Sequence, residues 1–188
     1  MQQNNIVRKP TTGQNIVKTK SFFEKLKTLT DFMGLKSSIL PANSDNLTPE
    51  QLVIALEDKE DPIAMQIMFI TDSFEEKNSK ESVILQMMIS FPIYPKESNI
   101  FGLAALITRL NPVLPIGSFG ITPSDNLYLR HTIMAKDKES IDKPVIVEAM
   151  DIMTFFANMA GEKLSLFVED KLTFENCLKE IEEIMTIN

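Results

Sequence analysis

The sequence predicts an α+β domain: an antiparallel sheet of about five strands packed against helices, in the order α-βββ-α-ββ-α(α). Three observations carry this. Met65, Ile67 and Phe69, then Val83, Leu85, Met87, Ile89, Phe91 and Ile93, recur at every second position, the period that puts side chains on one face of a strand. Phe22 to Met33, Ser98 to Leu110 and most of the last third carry apolar residues at helical spacing. Between the second and third helical stretches, Leu114 to Ile121 and Leu127 to Ile133 read as a helix exit, a tight turn and a β-hairpin.

The elements follow in order. Residues 1–19, a basic tail rich in Gln, Asn, Thr and Lys, have the composition of a disordered segment. The domain spans 20–188. Ser21 and Glu24 form a capping box, and Phe22, Leu26, Leu29 and Met33 then share a helix face. Gly34 stands at the C-terminal cap position. Residues 36–50, with Pro41, Asn43, Asp45 and Pro49, predict an irregular or partly extended link. Leu52, Ile54 and Leu56 open the first strand, and the acidic run Glu57 to Asp61 turns into the second. Phe74 to Ser82 is a longer polar turn before the third. Ser98 to Leu110 is apolar nearly all round, as buried helices are, and Asn111-Pro112 ends it. Pro123 to Asn126 turns the hairpin. Asp142 and Pro144 begin a long helix with Val145, Ala149, Ile152 and Phe156 on one face, and Gly161 predicts an end or kink. Thr173 caps a final helix with Phe174, Cys177, Leu178, Ile181 and Ile184 inward.

Composition excludes several classes of function. The net charge of -7 repels phosphate backbones, which argues against nucleic acid as the main partner. The single cysteine, Cys177, allows no intramolecular disulfide. The N-terminus carries no apolar signal segment, and no apolar run approaches the roughly 20 residues of a membrane helix, so the expectation is a cytoplasmic protein without a membrane partner.

The chemistry-bearing residues are sparse. No dinucleotide fingerprint, P-loop, nucleophile elbow or paired-histidine metal motif occurs. His131, the only histidine, sits on a predicted strand and reads as a hydrogen-bonded strand histidine. Cys177 lies among apolar residues and reads as a buried thiol. The expectation is therefore no catalytic residue, no metal site and no cofactor.

The segment Asn111-Pro112-Val113-Leu114-Pro115-Ile116-Gly117-Ser118-Phe119, followed by Leu127-Tyr128-Leu129-Arg130, resembles the YbjN-like family, described as bacterial sensory transduction regulators. The order of elements is similar to the fold of type III secretion chaperones, which that family is thought to share. The resemblance covers about residues 20–188. It implies a cytoplasmic, non-enzymatic protein, often dimeric, that regulates or binds other proteins, and it supplies no catalytic residues.

The residues themselves point to where binding would occur. The second faces of two neighbouring strands carry Met68 and Ile70, and Ile84 and Met88, with only Gln66, Gln86 and Ser90 as polar interruptions. A face turned to water alternates more cleanly than this. Met68, Met88, Ile70 and Ile84 are thus the expected contacts for a protein partner or a second copy of the chain. The alternative expectation is a small-ligand sensor, with a pocket between sheet and long helix lined by Met150, Met153 and Phe156.

Overall fold

The computed structural model describes residues 21–43, 48–57, 63–70 and 82–186, with only the backbone for 184–186. The N-terminal tail, most of the acidic turn after Glu57 and most of the polar turn after Ile70 lie outside the described residues, as does the inward placement expected of Ile184.

Helix α1 (Phe22–Phe32) leads into β1 (Ser37–Leu40), β2 (Gln51–Ala55), β3 (Ala64–Phe69) and β4 (Val83–Ser90). Helix α2 (Glu97–Leu110) and one 3-10 turn (Asn111–Val113) follow, then the hairpin β5 (Ser118–Ile121) and β6 (Leu127–Ala135), then α3 (Lys143–Val168) and α4 (Phe174–Thr186). The strands form one six-stranded sheet in the order β1-β2-β3-β4-β6-β5, antiparallel at every pairing. The α+β class stands, with one strand more than the sequence reading. The addition is β1, inside the stretch expected to be an irregular or partly extended link. Four residues between a helix and a proline are too short to show a period, yet they pair in register with β2, Ser37 opposite Ile54 and Leu40 opposite Gln51.

The capping box of α1 is present: the Glu24 amide donates to Ser21 Oγ, and the Ser21 amide donates to the Glu24 carboxylate. The buried face of α1 is rotated from the expected one. Phe23, Leu26 and Thr30 are buried, while Phe22 and Leu29 are half-buried and Met33 is exposed. Phe22 and Phe23 both set their rings against Phe69 at the end of β3, at 5.0 and 5.5 Å between centroids. That aromatic cluster turns the helix. Thr30 donates to the Lys27 carbonyl at 2.9 Å and shares a hydrogen bond with Ser37 Oγ at 2.8 Å, so α1 is tied to β1. Gly34, with φ of 78°, makes the left-handed exit that lets the Leu35 amide reach the Thr30 carbonyl.

α3 runs unbroken through Gly161, against the expected end or kink. The glycine serves close packing instead. A Cβ there would lie 2.6 Å from Cε1 of Phe91, so only a residue without one lets α3 approach the end of β4. Along α3 the buried positions include Ile146, Ala149, Met150, Met153, Phe156 and Ala157; Val145, expected inward, is exposed. Asp170 adopts a left-handed turn between α3 and α4. Its carboxylate accepts from Lys96 Nζ at 2.8 Å and from Asn99 Nδ2 at 2.9 Å, which anchors that turn to the start of α2.

All the described helices contribute to one core with one face of the sheet. Leu52 and Ile54, Met65, Ile67 and Phe69, Leu85, Met87 and Ile89, Phe119, Leu127 and Leu129 supply that face. Among the described residues the architecture is two layers, helices on one side and an open sheet face on the other.

Candidate functional site

The open face is defined by register. Cross-strand partners share a face, so each row can be followed across the sheet. One row runs Leu40, Gln51, Met68, Gln86, Thr132. The next runs Ser38, Val53, Gln66, Met88, Arg130, Ser118. Ile84 lies opposite Met134, and the Ile70 amide donates to the Ile84 carbonyl at 3.1 Å just beyond β3. The structure thus brings the four sequence-predicted residues together. Met68 and Ile70 alternate along one strand, Ile84 and Met88 along its neighbour, and all four are half-buried.

None of these side chains, nor Leu40, Val53 or Met134, packs into the core formed by the helices. The alternation of Met68 with Gln86 and of Met88 with Gln66 makes a chequered surface of thioethers and amides. Among the described strand positions of this face, Arg130 is the only formally charged side chain, and its guanidinium sits 5.7 Å from the Tyr128 ring. Charged residues dominate ordinary solvated surfaces, so a face this poor in them is unusual for contact with water alone. Met134, 71% exposed, is the apolar residue that the sequence reading missed. The signal lies in the sequence: Met134 continues the alternation Tyr128, Arg130, Thr132 one position past Ile133.

Elsewhere the side chains offer little chemistry. His131 occupies the opposite, helix-facing side of β6 across from Met87, and burial lowers its pKa. Among the described residues its side chain has no hydrogen bond, unlike the hydrogen-bonded histidine expected. Burial pushes the Cys177 thiol up to about 11, and its Sγ lies 3.5 Å from the Lys163 carbonyl, so it is a protonated thiol and a poor nucleophile. Among the described residues no three His, Cys, Asp or Glu side chains converge as metal ligands, and no helix is long and apolar enough to cross a membrane.

A cavity of about 500 Å³ lies between α3 and the ends of the central strands. Ile63, Phe91, Ile93, Ala157 and Leu166 give it apolar walls, and Glu57, Asn158, Glu162 and Ser165 add polar groups. The expected lining of Met150, Met153 and Phe156 is corrected by this geometry. Those three are packed into the core and precede Ala157, the first α3 residue of the cavity wall, on the same helix.

Compared with protein-family models and with curated proteins, the chain finds no match.

Proposed function

We propose that this chain is a non-enzymatic protein-binding module, a chaperone-like or regulatory adaptor that takes partner proteins on the open face of its sheet. The observation that supports this reading is a face that no described helix covers, bearing Met68, Met88, Ile70, Ile84 and Met134, with Arg130 as the only charged residue among its described strand positions. Burial of such a surface is favourable at roughly 25 cal/mol per Å² of apolar area. Methionine suits it to partners of varied shape, because its unbranched chain repacks at small cost. The Gln amides between the methionines supply hydrogen bonds that orient a partner without a desolvated charge. The resemblance to the YbjN-like family accords with a regulatory, cytoplasmic role of this kind.

The test is the double variant Met68→Lys, Met88→Lys. Both positions lie outside the helix-packed core, so circular dichroism and the melting temperature stay close to wild type. Proteins retained by the wild-type chain on an affinity column are lost from the variant. An unchanged set of retained proteins overturns the proposal.

The cavity beside α3 favours a second reading, a small-ligand sensor. A metabolite screen by thermal shift separates the two, since a ligand that binds only the folded chain raises the melting temperature. Ser165→Trp, which places an indole at the cavity wall, would abolish that rise and leave binding at the sheet intact.

A further inference from the structure

We infer that the cavity beside α3 takes a small primary amine with an apolar body, its ammonium at a carboxylate rim and its body on an apolar floor. The inference rests on the ligand-sensor reading of this cavity and adds the chemical class of the ligand.

The cavity exists because α3 is slender along one line. Ala157, Gly161 and Ser165 recur at intervals of four, so they stack on one face of the helix, and none reaches far from its backbone. Two pieces of the sheet stand opposite that face, each fixed by a backbone bond. The Leu56 amide donates to the Ile63 carbonyl at 2.9 Å, which extends the β2–β3 ladder and places Glu57 and Ile63 at its mouth. The Phe91 amide donates to the Leu127 carbonyl at 3.0 Å, which pins the chain as it leaves β4 toward Ile93. The volume enclosed, about 500 Å³, lies within the ~300–1,000 Å³ of ordinary small-molecule sites.

The polarity of the walls selects the ligand. Ile63, Phe91, Ile93 and Leu166 offer carbon, and the charged groups are Glu57 and Glu162; no Lys or Arg lines the cavity among the described residues. Lys163, next to Glu162, is directed elsewhere, with Nζ 2.9 Å from Glu180 Oε2 on α4. Asn158 and Glu162, one turn apart, set a carboxamide and a carboxylate on the same stretch of rim. An anion would meet two carboxylates and no described cation to offset them. A neutral molecule would gain the apolar floor but leave the rim unused. An ammonium carries three donors and no acceptor, which matches a rim of carboxylate and carboxamide oxygens, and hydrogen bonds between ionised groups are the stronger kind. The chain's net charge of -7 adds a long-range attraction of the same sign.

Three probes that share one apolar body test this: 4-phenylbutylamine, 4-phenylbutanol and 4-phenylbutyrate, each titrated into the full chain and followed by amide NMR. The amine shifts the amides of Ile93 and of Ala157 to Leu166 and saturates. The alcohol binds the same wall about threefold or more weakly, and the acid more weakly still. Glu162→Gln, at an exposed position, keeps the melting temperature, weakens the amine about threefold and leaves the alcohol unchanged. Added salt narrows the gap between amine and alcohol in the same direction. Ser165→Trp removes the binding of all three. Equal affinity of amine and alcohol at this wall overturns the amine assignment and leaves the ligand-sensor reading in place. So does an amine affinity that Glu162→Gln does not alter, or amine shifts scattered over the surface away from the cavity. If none of the three probes moves these amides, the assignment and the ligand-sensor reading fall together.

Discussion

Asn111 links the end of α2 to the edge of the sheet, and replacing it by alanine removes one well-defined contact. Asn111→Ala deletes both hydrogen bonds to Phe119, at 2.8 and 3.0 Å, in a partly buried setting. Each such bond contributes about 0.5–1.5 kcal/mol net, so the variant loses ~1–3 kcal/mol. For a domain of this size each kcal/mol lowers the melting temperature by roughly 2–4 °C. Urea denaturation gives the free energy, and amide exchange at Phe119 reports the bond directly. Asn111→Asp sharpens the test. It keeps an acceptor for the Phe119 amide but sets a second acceptor against the Phe119 carbonyl, so it destabilises at least as much as alanine. The freed β5 edge also raises the tendency to associate, which light scattering detects. A loss under ~0.5 kcal/mol with unaltered Phe119 exchange would refute the reasoning, since the carboxamide would then be dispensable to the edge.

Two further outcomes follow from single contacts. Gly161→Ala forces the Phe91 ring to move, because the new Cβ would lie 2.6 Å from Cε1. The expected cost is about 1–3 kcal/mol in urea denaturation despite alanine's higher helix propensity, and a stabilised variant would show that α3 does not need the close approach. His131 is held neutral by burial, so its folded pKa lies below the unfolded value. Its contribution to stability is fully present above the unfolded pKa of ~6.5 and is lost as pH falls through the folded pKa. His131→Gln therefore loses less stability than wild type between neutral and mildly acidic pH, and parallel pH profiles of the two proteins would contradict this.

Local chemistry carried much of this protein in its sequence. The Ser21–Glu24 capping box, the alternating apolar residues of β3 and β4, and the proline after Asn111 each act within a few residues, and each element stands where they put it. The two-sided apolar character of β3 and β4 was legible for the same reason, since alternation assigns a face without any knowledge of neighbours. Tertiary structure decided what depends on distant partners. β1 exists because β2 offers it a ladder, the burial of Phe23 in place of Phe22 follows the position of Phe69, and Gly161 is explained by Phe91 seventy residues earlier. Which face the helices would cover, and hence which was left open, also had to await the packing, because both sides of β3 and β4 carry apolar side chains that could have met a helix.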